Sequence, residues 1–319
     1  MSKVAAVVIG RNEGDRLSAC LRSLTEVRQV IYVDSGSTDG SVERARNSGA
    51  EVVELDMSRP FTAARARNAG ISVLHDAEVE FVQMVDGDCE LAPGWISAAL
   101  TSLDADPGLV AVCGRRRERH PEASVYNRLC DREWDTPIGL TNAFGGDAMI
   151  RLDALRQAGL YREDLIAGEE PELCVRLRQA GGRIQRLDAE MTRHDANMHQ
   201  FTQWWRRARR AGHAFAEGAA LHGRPPERHW VKETRRAVLW GLALPLVIAI
   251  GTLTTPHFLL LLLAYPVQIL RLARREGGDR AAWENAVFTT LAKFPEAQGV
   301  LEFHLNHLRG RKRGLIEYQ

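Results

Sequence analysis

Two carboxylates separated by one glycine, Asp86-Gly87-Asp88, close the apolar run Val82-Gln83-Met84-Val85. A run of that length bounded by glycine reads as a buried strand. Acids at its exit can share one cleft at the strand's carboxyl end, where open α/β sheets bind ligands. Paired oxygen ligands on a flexible turn suit Mg2+ or Mn2+, ions that commonly bind substrate phosphates as well. The pair therefore points to a metal–diphosphate site, although Asp-Gly-Asp also makes ordinary turns.

The elements that must position this pair alternate along the first half. Lys3–Gly10 is an apolar strand ending at Arg11-Asn12-Glu13-Gly14. Asp15–Leu24 has helical apolar spacing at Leu17, Leu21 and Leu24. Val30–Val33 is a second strand, followed by Asp34-Ser35-Gly36-Ser37-Thr38-Asp39-Gly40, then a helix to about Ser48 and a third strand, Glu51–Leu55. A further helix carries Arg65–Gly70 and precedes the strand that ends in Asp86. Alternating strands and helices imply parallel crossovers and a doubly wound, mostly parallel sheet flanked by helices. Polar loops after three of these strands then lie on one edge of the sheet.

The ordered motifs Val7-Val8-Ile9-Gly10-Arg11-Asn12-Glu13, Val33-Asp34-Ser35-Gly36-Ser37-Thr38-Asp39, Ala66-Arg67-Asn68-Ala69-Gly70 and Asp86-Gly87-Asp88 resemble those of family 2 glycosyltransferases, which have the GT-A fold. The resemblance continues through Gly145-Gly146-Asp147 and Gly168-Glu169-Glu170-Pro171, covering roughly residues 4 to 195. Two departures stand out. Asp34-Ser35 replaces two adjacent acids, and Glu169-Glu170 replaces Glu-Asp.

The resemblance implies a role for each motif. Asp88, with Asp86, would hold Mn2+ or Mg2+ against the donor diphosphate, and His194 resembles the histidine that completes the metal site in some relatives. Asp34 would contact the nucleoside, framed by Arg11, Asn12 and Glu13. Arg67 would reach the base or phosphate, or else lie on a helix surface. Asp147, in a glycine loop, would accept from an acceptor hydroxyl, or else serve as a turn residue. Glu170, or Glu169, would be the general base for an inverting transfer. A helix starting at Pro171 would hold both acids at its N-terminus, where negative charge is favoured; without chemistry they would be caps. Glu172 and Arg176 form a structural i, i+4 pair.

A net charge of +1 gives no argument for nucleic-acid binding, and five scattered cysteines without a CxxC pair suit a reduced compartment. A first strand beginning by residue 4 leads to the expectation of no signal peptide and a catalytic half in the cytosol.

The character changes after about residue 195. Gln203–Glu217 is basic and aromatic, suited to a membrane interface or to packing its tryptophans on the catalytic domain. Gln203-Trp204-Trp205-Arg206-Arg207 lacks the final Trp of the Gln-x-x-Arg-Trp motif of processive relatives. Val238–Leu253 and Phe258–Leu270 carry no charge, with Thr254-Thr255-Pro256-His257 between them. Each is short for a spanning helix of about 17–25 residues, and arginines flank the pair only on the outside, as the positive-inside tendency expects of a hairpin with cytoplasmic ends. A re-entrant pair or a buried oligomer contact is the other reading. Arg309, Arg311, Lys312 and Arg313 could touch anionic headgroups or stay solvated.

The expectation is a metal-dependent inverting glycosyltransferase at the inner (cytoplasmic) membrane. Its divisions are a GT-A domain at 1–195, basic aromatic helices at 196–236, an apolar helical hairpin at 237–273 and a basic helical tail at 274–319. Its partners are a nucleotide-sugar donor, a glycan or lipid-linked acceptor and the membrane, without nucleic acid. A nucleotidyltransferase of similar fold, or a non-catalytic nucleotide-sugar-binding scaffold, is the alternative.

Overall fold

The computed structural model describes residues 2–75 and 78–310 of the chain. The chain divides into two compact units, Met1–Asn197 and Met198–Gln319.

The first unit is one mixed sheet with flanking helices. Its strands are β1 (Val4–Gly10), β2 (Gln29–Asp34), β3 (Glu51–Glu54), β4 (Phe81–Asp86), β5 (Cys89–Leu91), β6 (Leu109–Glu118), β7 (Gly139–Thr141), β8 (Ala148–Arg151) and β9 (Arg183–His194). The order is β3-β2-β1-β4-β8-β6-β9-β5, with β7 also on β9. The expected parallel winding holds for β3-β2-β1-β4 and for β6-β9. β8 runs antiparallel to both β4 and β6, and β5 and β7 antiparallel to β9. Strands of three or four residues such as β5, β7 and β8 carry too little pattern to be read locally, and their pairing makes the second half of the sheet mixed.

β1 is buried almost throughout because parallel neighbours and helices cover it. Helix α1 (Asp15–Ser23) turns Leu17, Cys20 and Leu21 inward. After α2 (Ser41–Asn47), α3 (Ala63–Ser72) starts at Thr62, whose hydroxyl accepts from the Arg65 N–H. α4 (Trp95–Ala105), α5 (Val125–Glu133), α6 (Leu152–Gln157) and α7 (Glu169–Gln179) complete the unit. Trp95 is buried on the sheet and donates to Gln83 Oε1 at 2.7 Å, so the amide inside β4 is satisfied. All five cysteines are buried thiols.

Two registers place the chemistry. Parallel pairing sets Gly10 against Asp34 and Ile9 against Asp86, bringing the loops after β1, β2 and β4 to one edge. Antiparallel pairing of β4 with β8 brings Gly145–Asp147 to the same edge, and pairing of β5 with β9 sets Cys89 against His194.

The second unit is helical: α8 (Phe201–His222), α9 (Val231–Val238), α10 (Leu244–Thr252), α11 (Ala264–Arg275), α12 (Arg280–Leu291) and α13 (Lys293–Leu308). Trp204 is buried against Phe288 of α12, and Trp205 donates to Gln298 of α13 at 3.2 Å. The Trp204–Trp205 pair therefore packs within its own bundle. Glycines let backbones touch: a Cβ on Gly212 would lie 2.0 Å from the Glu296 carbonyl oxygen, and one on Gly299 2.0 Å from that of Arg209.

The apolar runs lie in longer helical stretches than their uncharged lengths suggest. Val231–Thr252 and Pro256–Arg275 are 22 and 20 residues, long and apolar enough to cross a membrane. The first gains length from the charged turn Lys232–Arg236 and includes a π-helical turn at Leu239–Ala243; the second begins as a 3-10 helix at Pro256. Tyr265 ties the arms together by donating to the Trp240 carbonyl at 2.8 Å. Leu253, Leu260, Leu263, Ile250 and Val267 remain exposed, and Arg311, Lys312 and Arg313 lie outside the described residues.

Gly70 on α3 faces β1 and β2, where a Cβ would meet Val7 Cγ1 at 2.5 Å and Val33 Cγ2 at 3.0 Å. Gly70→Val should destabilise the chain by roughly 1–3 kcal/mol, the usual cost of overpacking a filled core. Urea unfolding will measure it; an unchanged midpoint would mean α3 is free to lift off the sheet.

Candidate active site

The loops after β1 and β2 brace each other. Asn12, in a left-handed conformation at φ 56°, donates its N–H to Ser37 Oγ and accepts from the Thr38 N–H. Asp34 is buried, and its carboxylate accepts from Tyr32 Oη at 3.0 Å and from the Gly36 and Ser37 N–H groups at 2.9 and 2.8 Å. Asp34 thus supports the loop that follows β2. Arg11 is exposed at the head of the first loop. Glu13 pairs with Arg16 at 2.8 Å, and its stem lies beside Gly87, where a Cβ would come within 3.2 Å. Burial, then the negative charge of Asp88, push the Glu13 carboxyl up to about 7 against the pull of Arg16.

The two acids expected to act together are divided. Asp88 is buried, with its carboxylate 3.2 Å from His194 Nε2. Burial opposes its charge, but the imidazolium of His194 and the nearby Arg116 outweigh that and hold the carboxyl well below the usual range. For His194, burial and Arg116 favour loss of the proton; Asp88 outweighs them and raises its basicity. Behind the ring, Glu118 Oε2 lies 3.9 Å from Nδ1, and Trp134 meets the ring edge-on at 4.8 Å.

Asp86 faces two guanidinium groups. Arg67 Nη2 donates to Asp86 Oδ1 at 2.9 Å, and Arg116 Nη2 to Oδ2 at 3.3 Å. Arg67 is buried, neither a surface residue nor free for a phosphate: its Nη1 also lies 3.0 Å from Glu169 and 2.9 Å from Glu170. Arg116 reaches Asp147 at 3.4 Å and stacks over Trp134 at 4.9 Å. Asp147 accepts from Thr192 Oγ1 at 2.7 Å and from the Asp86 N–H at 3.2 Å, and it is buried. It is therefore a prop under Asp86 instead of an acid open to an acceptor hydroxyl. Gly146 lies against this cluster: a Cβ there would sit 2.6 Å from Asp86 Oδ2 and 3.0 Å from Arg116 Nη1.

Among the described residues, two groups of possible metal ligands arise, Asp88-Cys89-His194 and Asp86-Cys89-Asp147. The second already holds the Arg116 cation between its carboxylates, and burial raises the Cys89 thiol well above its ordinary value, so sulfur is a poor donor to a hard ion. Asp88 and His194 fit. Their facing atoms, 3.2 Å apart, match two adjacent ligands of an octahedral ion with bonds of about 2.1 Å, which lie about 3 Å from each other. A divalent ion held by these two residues would supply positive charge beside Asp86.

Glu169 and Glu170 open α7. The helix begins at Glu169 after Gly168 in the left-handed region (φ 81°), so Pro171 is its third residue, where a missing N–H still costs no intrahelical bond. Glu170 is the more accessible of the two, with 15% of its side chain exposed against 5% for Glu169. Burial and the adjacent Glu169 push the Glu170 carboxyl up to about 7, with Arg67 pulling the other way. Glu172 and Arg176 form their i, i+4 pair at 2.7 Å.

Arg116, Glu118, Trp134, Tyr161 and Thr192 belong to this cluster and carried no motif. Arg115-Arg116-Arg117 ends an apolar strand, and strand alternation sends Arg115 to Asp131, Arg116 to Asp86 and Arg117 to Glu190. That alternation was the available signal.

Raised carboxyls make stability depend on pH. Glu13 and Glu170 ionise near 4.5 when unfolded and near 7 when folded, so between these values the folded chain binds more protons and its stability falls as pH rises. Glu13→Gln should flatten this decline in urea unfolding measured across that range; an unchanged slope would show that Glu13 ionises normally.

Residues 6–155 match the family model described as Glycosyl transferase family 2. The chain is 28% identical over 232 residues to a pre-mycofactocin glycosyltransferase of Mycobacterium tuberculosis, covering 69% of this chain and 48% of that protein. The chain thus spans about half the length of the curated relatives it matches. Among solved structures, a mannosyltransferase from Pyrobaculum calidifontis in complex with GDP-Man and Mn2+ superposes with a TM-score of 0.64 at 20% identity, covering 94% of this chain and 87% of that one. Glucosyl-3-phosphoglycerate synthase from Mycobacterium tuberculosis, with Mn2+, UDP and glucosyl-3-phosphoglycerate, gives 0.51 at 17% identity over 70% and 80%. With its mixed sheet and its acids gathered on one edge, the first unit has the GT-A fold, and its residues 6–155 are similar to the family 2 glycosyltransferases.

Proposed function

We propose that the chain transfers a sugar from a nucleoside-diphosphate donor to a hydroxyl acceptor with inversion, at the cytoplasmic face of the inner membrane. The observation that carries this is the division of acids on the sheet edge: Asp88 with His194 on one side, Glu170 at the helix start on the other, and Arg67 and Asp86 between them. Asp88 and His194 would hold Mn2+ or Mg2+, which neutralises charge on the departing diphosphate. The solved neighbours carrying Mn2+ with GDP-Man or with UDP support that choice. Arg11, Asn12 and Glu13 frame the nucleotide side, with Asp34 shaping the loop beside them. Glu170 takes the acceptor hydroxyl's proton as that oxygen attacks the anomeric carbon from the face opposite the leaving group. The C–O bond to the diphosphate breaks with its electrons on the diphosphate oxygen. A value near 7 suits a base working at neutral pH.

A panel of UDP- and GDP-sugars, assayed for released nucleoside diphosphate, tests the reading and identifies the donor. Asp88→Asn should abolish release, and EDTA should do the same reversibly. Glu170→Gln should slow transfer by about 10²–10⁴-fold while donor affinity holds. Pyrophosphate as the product would instead indicate a nucleotidyltransferase; full activity in EDTA would overturn the cation assignment.

The apolar acceptor side rests on the hairpin. Two helices of spanning length keep rows of leucine and isoleucine uncovered, which favours a membrane and a lipid-linked acceptor. The full chain should stay with membranes through high salt and carbonate, since salt does not screen apolar burial. Release by salt alone would reject insertion and favour an oligomer contact.

A further inference from the structure

We propose that Arg67 is a positioning residue for the base, fixing where the Glu170 carboxylate points and at what pH it can accept a proton. The inference rests on Glu170 being the base. One guanidinium faces three carboxylates: Asp86 Oδ1 at 2.9 Å from Nη2, and Glu169 and Glu170 at 3.0 and 2.9 Å from Nη1. Its plane rests over the Tyr161 ring at 5.6 Å. Arg67 is 2% exposed, so bulk water barely screens these contacts. A planar fork can hold two directions at once, which a lysine ammonium cannot match.

The charges around Glu170 explain why this matters. Glu169 and the Cys174 thiol come from its own helix, Asp86 from the end of β4, Tyr161 from the loop before α7, and Arg67 from α3. Arg67 is the cation in this set. Without it, two neighbouring carboxylates would hold the proton on Glu170 and keep the base out of action at neutral pH. With it, Glu170 stays ionisable, and its carboxylate is tethered to the group that also grips Asp86. The donor-side acid and the acceptor-side base thus share one anchor on α3.

The test uses the full chain. The infrared carboxyl band lost in Glu170→Gln is followed across pH, and release of nucleoside diphosphate from the UDP- and GDP-sugar panel is profiled over the same range. In Arg67→Gln the band midpoint and the acid limb of kcat should both move up, by roughly 1–3 units for loss of an adjacent opposite charge. The rate lost near pH 7 should partly return in alkali, and kcat should change more than the donor KM. Arg67→Lys should keep the midpoint near its original value while kcat stays depressed. Glu169→Gln, which removes a like charge without removing the cation, should move the midpoint down and keeps the question open to an answer if Arg67→Gln does not fold. An unmoved midpoint in a folded Arg67→Gln chain, or in Glu169→Gln, would overturn the inference. An active Glu170→Gln chain would instead reject Glu170 as the base.

Discussion

Two guanidinium groups buried among carboxylates hold one edge of the sheet in place. Arg67 and Arg116 both grip Asp86, one from α3 and the other from β6, and each carries a second tie, to the Glu169–Glu170 pair or to Asp147. Charges taken out of water need partners, and removing one partner of a buried set leaves the others uncompensated. The loops after β4, the strand β8 and the start of α7 are therefore fixed relative to one another by charge, where hydrophobic packing of loops alone would leave them loose. Gly146 belongs to the same constraint, since its missing side chain makes room for three polar atoms.

The parallel half of this fold was plain in the sequence. β1, β2 and β4 are continuous apolar runs closed by polar loops, and the parallel register brings those loops together without further information. The second half was less legible because its strands are short or are paired across long separations: β5 with β9, β8 with both β4 and β6. Sequence reading joined Asp86 to Asp88; in the folded chain each has its own partners. Their backbone positions are two residues apart, but their partners arrive from β9 and β6, at distances along the chain that no local spacing encodes. Asp34 and Asp147 illustrate the same limit. Both acids were visible; Asp34 is held by the backbone of its own turn, Asp147 by Thr192, which only the folded chain brings near.

The helical unit follows a different logic. Its contacts are made by glycines that admit backbone to backbone, at Gly212, Gly299 and Gly241, and by aromatic pairs such as Trp204 with Phe288. Sequence reading left those tryptophans either at a membrane interface or packed on the catalytic domain. Trp205 and Arg209, one turn apart on α8, instead both face α13, at Gln298 and Glu302. The uncovered leucines lie on the two long arms, tied across by Tyr265.

The five thiols offer a practical consequence. All are buried, and burial raises those of Cys20, Cys89, Cys113 and Cys174 above the range in which a thiolate forms near neutrality. Alkylating reagents attack the thiolate, so the native chain presents a chemically silent background. A single cysteine introduced on the surface will be the fast-reacting one, and spin labels or fluorophores can be attached there with every native cysteine left in place.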